Sequence, residues 1–375
     1  MRNNVMTRTM AITAAGLMAC AMTMTANAAA APLAETQNGS AFVKEFNVDA
    51  DTYAPVAEFS FSVEAGEAFE GEAAVVLSEG GQAQPVYAGV AGGVTASAVS
   101  FDALSDEKGA EQSGNPELTY DASVFTKPGI YHYVVTEDVT ADKHYHFDTV
   151  ARDLYLYVVN GDNGLEVSGA EMFKRGEDGA AVKPGSAENK NDTFVNTYGE
   201  LGDEALNEFN DLYVTKTVTG DMADMNEYFD FEITVVSYEG ERTTYMYTID
   251  YADADMEDVT DGKLTSGQAM SFKLKNDDKL TVQNLADGDT YLVAESSDDF
   301  NQDGYISSCS VNGQDLDGNM TTAQTMGNED VTVEFVNEKN SISPTGVVVE
   351  FGPYIAMLCG AGALAAVFMR KKTQR

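Results

Sequence analysis

Short runs in which aromatic or β-branched residues alternate with polar ones recur along the middle of the chain. Ala57-Glu58-Phe59-Ser60-Phe61-Ser62-Val63, Ile130 to Val135 and Leu154 to Val159 come first; Tyr228 to Ile233, Tyr245 to Ile249 and Val331 to Val336 follow. A period of two sends successive side chains to opposite faces, so each run predicts a half-buried β-strand. Turn-forming clusters punctuate the runs, among them Pro128-Gly129, Gly161-Asp162-Asn163-Gly164, Asp287-Gly288-Asp289 and Gln302-Asp303-Gly304. No sustained helical period interrupts the middle. Many short strands at this spacing predict an all-β protein of two tandem Ig-like sandwiches. The acidic segment Gly199 to Asn210, poor in β-branched residues, is the expected boundary, giving domains over residues 41–199 and 209–340.

The two halves repeat one plan. Each opens on a Lys-bearing strand, Val43-Lys44 or Thr215-Lys216, and continues with Phe-x-Phe, at Phe59-Ser60-Phe61 or Phe229-Asp230-Phe231. Each then runs through Tyr-containing sequence to a glutamate, Glu137 or Glu295, and closes on a strand with an asparagine, Asn196 or Asn337. Taken singly, a strand lysine is usually a snorkelling surface group and an asparagine near a strand end a turn residue. The recurrence of Lys, Glu and Asn in the same order and strand contexts points instead to a shared site.

Composition narrows the setting. The 375 residues carry 22 Lys+Arg against 61 Asp+Glu, a formal charge of -39. Such a chain repels phosphate backbones, which excludes nucleic acid as a partner. High charge also accompanies disorder, but 43% hydrophobic residues with 18 Tyr and 18 Phe are enough to build cores. Of the three cysteines, Cys20 and Cys359 fall in apolar terminal segments, leaving only Cys309 in the middle, so no disulfide framework holds the sandwiches.

Both termini read as targeting segments. Residues 1–28 form a secretion signal: Arg2 and Arg8, an Ala-, Met- and Thr-rich stretch, then Ala26-Asn27-Ala28 as the cleavage site. Leu17-Met18-Ala19-Cys20 loosely matches a lipobox, which leaves lipidation of Cys20 open. Residues 342–375 hold three parts in order: Ile342-Ser343-Pro344-Thr345-Gly346, an apolar run from Val347 to Met369 long enough for a membrane helix, and the basic Arg370-Lys371-Lys372. A plain membrane anchor has the last two parts only. The full order resembles a Gram-positive sorting signal, in which a sortase cuts between Thr and Gly. Here Pro344 stands directly before Thr345, one place later than in the usual Leu-Pro-x-Thr-Gly.

With both terminal signals and the doubled triplet in view, the chain resembles the sortase-assembled backbone pilins of Gram-positive bacteria. The likeness is to the streptococcal T-antigen type with collagen-adhesin B-type Ig-like domains, and it extends from about Phe42 to Arg375. The resemblance implies a self-formed amide between a first-strand Lys and a last-strand Asn, assisted by Glu. Carried over by position, the bonds are Lys44–Asn196 with Glu137 and Lys216–Asn337 with Glu295. It also implies that the Thr345 acyl group passes to a lysine of the next subunit near the end of its first domain. Lys190 is the first choice, Lys183 the second, and Lys174 also precedes Asn196.

The chemistry is reasonable from first principles. Burial disfavours charge, pushing a Lys amine of reference pKa about 10.4 toward the neutral nucleophile and Glu toward the neutral acid. A protonated Glu can then hydrogen-bond the carboxamide oxygen and shuttle protons as ammonia leaves. Contact in the core supplies the effective molarity for a reaction that occurs once per chain. This is self-processing, not enzymatic turnover.

Other constellations carry less. Asp299 to Tyr305 begins like a calcium-binding loop, but Ser310 occupies the twelfth position, where a carboxylate is required. His144 and His146 share a strand face without a third ligand nearby. No metal or other cofactor is therefore expected, and Cys309 reads as a small buried hydrophobe. The sequence thus describes a secreted, wall-anchored pilus subunit whose precursor passes through the membrane. Its expected partners are sortase, identical subunits, and peptidoglycan or accessory pilins. The competing reading is a monomeric wall-anchored adhesin or minor pilin that grips a host or microbial ligand.

Overall fold

The computed structural model describes residues 37–341, apart from 70–74, 77–82, 141, 143, 185–189, 200–208 and 297–303. The secretion signal and the segment from Ile342 through Gly346 to the C-terminus lie outside the described residues. Among the described residues the regular structure is strand, with two single-turn 3-10 segments.

Strands up to Tyr198 form one sandwich. One of its sheets orders Glu111–Gly114, Val43–Val48, Thr193–Tyr198 and Tyr145–His146; the facing sheet orders Gly164–Lys174, Arg152–Gly161, Gly129–Glu137 and Phe61–Ala65. Strands from Phe209 onward form the other. Its larger sheet runs Val259–Thr265, Thr244–Asp250, Lys279–Ala286, Phe209–Thr219, Val331–Glu338, Ile306–Val311 and Gln314–Leu316. Its smaller sheet runs Ala269–Leu274, Phe229–Val236, Thr290–Glu295 and Gln324–Thr325. The run Ala57 to Val63, one strand by its alternation, is divided at Ser60: Ala57–Phe59 pairs with Val99–Phe101, while Phe61–Ala65 joins the Glu137 strand.

In both sandwiches the first long strand lies parallel to the last. Lys44 is level with Phe194 and Phe46 with Asn196; Lys216 is level with Phe335 and Val218 with Asn337. Lysine and asparagine are therefore two register steps apart on neighbouring strands, and the period of two turns both to the same face. That face is the interior. Phe42, Phe46, Phe59, Phe61 and Phe194 fill the first core, and Phe229, Phe231, Ile233, Val333 and Phe335 the second.

A buried arginine ties the two sandwiches together. Arg242, only 3% exposed, donates to Asp289 at 3.1 Å and lies 4.6 Å over the Tyr245 ring and 5.0 Å over Phe209. Its guanidinium also approaches Tyr198, in the last strand of the first sandwich, at 6.0 Å. Asp289 belongs to a cluster expected to be only a turn. It instead accepts from the Tyr245 hydroxyl and from the N–H groups of Tyr238 and Ala286, each at 2.8 Å. The Val56 N–H donates to the Glu241 carbonyl at 2.8 Å, and Lys108 pairs with Asp261 at 3.1 Å across the same junction. Removing one partner of a buried ion pair strands the other, so Arg242→Ala should destabilise by about 3–5 kcal/mol. Urea denaturation followed by tyrosine fluorescence measures the loss.

Candidate functional site: two buried Lys–Glu–Asn clusters

The parallel pairing of terminal strands supplies two of the three groups, and the facing sheet supplies the third. Glu137 ends its strand opposite Phe61, and Glu295 ends its strand opposite Phe231. Each glutamate thus sits beside the second phenylalanine of Phe-x-Phe. The first phenylalanine lies under the amine: Lys44 Nζ is 4.6 Å from the Phe59 ring centre and Lys216 Nζ 4.3 Å from that of Phe229. These contacts explain why the Phe-x-Phe strand accompanies the lysine in both halves.

All six residues are buried: Lys44, Asn196 and Asn337 have no exposed surface, Lys216 and Glu295 retain 1%, and Glu137 retains 6%. Lys44 Nζ donates to Glu137 Oε2 at 2.8 Å, and Asn196 Nδ2 donates to Glu137 Oε1. In the second cluster Glu295 Oε1 accepts from both Lys216 Nζ at 2.6 Å and Asn337 Nδ2 at 2.7 Å. Ser307, which is level with Asn337 on the adjoining strand, donates to Glu295 Oε2 at 2.6 Å. In each cluster one carboxyl group thus gathers the amine and the amide nitrogen.

The environment tunes both partners. Desolvation lowers the pKa of Lys44 to about 8 against the opposing hydrogen bond and charge of Glu137. It lowers that of Lys216 to about 8 as well, against the pull of Glu295. Burial raises Glu137, despite its bonds to Lys44 and Asn196. The amines are therefore poised to become neutral nucleophiles near physiological pH.

The carboxamide orientation differs from the sequence expectation. Asn196 Oδ1 does not face Glu137; it accepts the backbone N–H of Asp148 at 2.8 Å, which leaves Nδ2 for the carboxylate. Asp148 and Arg152 were not singled out in the sequence, because a backbone donor has no side-chain signature. Ser307 was missed for a related reason: an isolated serine in a strand carries no motif.

Of the remaining expected residues, none that the structure describes hydrogen-bonds Glu137 or Glu295. Lys190 is exposed just before the last strand of the first sandwich and pairs with Glu171 at 3.2 Å. Lys183 is also exposed, whereas Lys174 pairs with the partly buried Asp148 at 3.7 Å. Ile342, Ser343, Pro344, Thr345 and Gly346 fall outside the described residues. Cys309 is buried, and desolvation together with the charge of Glu295 pushes its thiol up to about 12, which makes it unreactive. His144 Nδ1 is 2.8 Å from Asp142 Oδ1, and its ring stacks on Phe209 at 5.2 Å.

Residues 41–199 match the family model of the Spy0128-like isopeptide containing domain, and residues 210–339 match a domain of unknown function, DUF7601. A pilin of Streptococcus pyogenes serotype M1 is 26% identical over 275 residues, covering 72% of this chain and 75% of that protein. The S. pyogenes pilus tip adhesin Cpa is 35% identical over 141 residues, covering 37% of this chain and 18% of the adhesin. In fold, the crystal structure of the major pilin from S. pyogenes superposes with a TM-score of 0.56 at 21% identity, covering 81% of this chain and all of that one. The S. pyogenes T3.2 major pilin gives 0.54 at 20% identity, over 82% of this chain and all of the other.

Two predictions follow from the paired groups. An amine and acid that share one proton react only while they hold that proton. Amide formation during refolding should therefore be fastest in a plateau. It should fall as pH rises past about 8, where the lysine loses its proton. It should fall again at acid pH, once Glu137 gains a second proton for the pair; intact mass against time reads both limbs. Glu295→Ala should leave the second sandwich folded but without its cross-link, visible as retained ammonia mass and faster tryptic cleavage.

Proposed function

We infer that this chain, a structural pilin whose first domain belongs to the Spy0128-like isopeptide containing family, is the repeating major subunit of a covalently polymerised cell-surface pilus. The observation that carries the reading is the pair of buried Lys–Glu–Asn clusters, each joining the first strand of a sandwich to its last. In this reading each neutral lysine amine attacks the asparagine Cγ, the glutamate moves the protons, and ammonia leaves. The products are the amides Lys44–Asn196 and Lys216–Asn337, within domains spanning residues 41–199 and 209–340.

The mechanical consequence suits a fibre. Each amide closes a loop of more than a hundred residues, which by analogy with a disulfide stabilises by roughly 4–5 kcal/mol. Tension entering along the first strand passes to the last through the amide and leaves the rest of the sandwich unloaded. This supplies what disulfides supply elsewhere in exported proteins.

Assembly uses the tail. A sortase cleaves between Thr345 and Gly346, and the Thr345 acyl group is taken by Lys190 of the next subunit, or at the base of the fibre by peptidoglycan. Exposure and a position just before the last strand of the first sandwich favour Lys190. The secretion signal and apolar tail make the precursor a transient membrane passenger before wall attachment.

A second reading, a minor pilin or tip adhesin, draws on the 35% identity to part of a pilus tip adhesin. Incubation with the cognate sortase separates the two. A major subunit should give a ladder of covalent multimers on a denaturing gel, lost in Lys190→Ala. A single band despite active sortase would favour the adhesin, and a ladder lost only in Lys183→Ala would move the acceptor to that lysine.

A further inference from the structure

Among the described residues the first cluster contains a group that the second lacks. Asn196 Oδ1 receives the Asp148 N–H at 2.8 Å, whereas Asn337 Oδ1 is buried with no hydrogen-bond partner among the described residues. An N–H can meet only the oxygen of a carboxamide, so this contact fixes the amide's orientation and turns Nδ2 to Glu137. Among the described residues nothing comparable holds the oxygen of Asn337.

The donor is clamped in place. The Asp148 carboxylate accepts from the Val150 N–H at 3.1 Å and from Arg152 Nη2 at 2.6 Å, and the Val195 N–H approaches it at 3.4 Å. Arg152, fully buried, also donates to the Val150 and Thr193 carbonyls and lies 4.2 Å over the Phe194 ring. The segment carrying Asp148 is thereby tied on both sides to the strand that carries Asn196.

We propose that the Asp148 N–H is a one-donor oxyanion hole for amide formation in the first sandwich, with Arg152 as its positioning residue and Glu137 serving only the nitrogens. The inference rests on the cross-linking reading above and assigns the roles within it. Lys44 Nζ forms a bond to Asn196 Cγ, and the carbonyl electrons move onto Oδ1, where the Asp148 N–H meets the new charge. Glu137 Oε1 delivers a proton to Nδ2, and Oε2 takes one from Nζ. The Cγ–Nδ2 bond breaks, the carbonyl re-forms and ammonia departs. Glu137 ends as it began, and no other reactant is consumed.

The test replaces the N–H. The chain is dissolved from inclusion bodies in urea and refolded by dilution, with aliquots quenched in acid. Peptide mapping then follows the two amides separately. Asp148→Pro deletes the donor. Should that variant leave the first sandwich unfolded by near-ultraviolet dichroism, an aspartate-analogue ester at residue 148 swaps only N–H for oxygen. Loss of one such donor costs about a hundredfold in rate. The Lys44–Asn196 amide should slow by that order while the Lys216–Asn337 amide keeps its wild-type rate. Arg152→Lys, which keeps a charge for Asp148 but loses the fork to Thr193, should slow the first amide alone with the folded spectrum unchanged. An unchanged first-amide rate in a folded variant lacking the N–H would overturn the proposal. Absence of both amides in the wild-type chain would instead defeat the cross-linking reading itself.

Discussion

An ammonium and a carboxylate buried together inside a β-sandwich are poor value for stability. Removing each ion from water costs several kcal/mol even after relaxation, and hydrophobic residues of equal volume often serve as well. This chain carries that arrangement twice, with Lys44 against Glu137 and Lys216 against Glu295, all essentially inaccessible to solvent. The arrangement makes sense if the pair is an unreacted state. Forming an amide converts the amine into a neutral group and leaves the carboxyl free to be neutral, so the reaction relieves the penalty that drives it. The depressed lysine values express the same stored cost.

The rest of the architecture follows from presenting that pair to an asparagine. Parallel pairing of first and last strands puts lysine and asparagine on one interior face with the same two-step offset in both sandwiches. The facing sheet brings the glutamate, and phenylalanines close the space around the three. The Arg242–Asp289 pair, wedged among Tyr198, Phe209 and Tyr245, joins the two sandwiches. In the proposed cross-linked form each sandwich is closed chemically, whereas the described contacts at their junction are packing, hydrogen bonds and ion pairs.

Much of this could be read from residue order. Strand periodicity located Gly129–Glu137, Arg152–Gly161, Phe229–Val236, Thr244–Asp250 and Val331–Glu338, because half-burial forces a period of two whatever the partner, but Gly164–Lys174 and Lys279–Ala286 were not among the runs it picked out. The six cluster residues emerged because the chain repeats itself: Lys216, Glu295 and Asn337 give weight to Lys44, Glu137 and Asn196. What escaped depends on three-dimensional approach. The break at Ser60 is set by which sheet each half joins, and alternation does not encode sheet choice. Asp289 looked like a turn residue, and only the fold brings Arg242 and three further donors around it. The role of Asp148 lies in its backbone, so no side-chain pattern could announce it.

The central claim is that both buried lysines become amides, and the intact mass of the chain recovered from folded material tests it most directly. The account predicts a mass lower than the sequence value by two ammonias, with peptide mapping assigning one loss to Lys44–Asn196 and the other to Lys216–Asn337. A folded chain at its full sequence mass would contradict it.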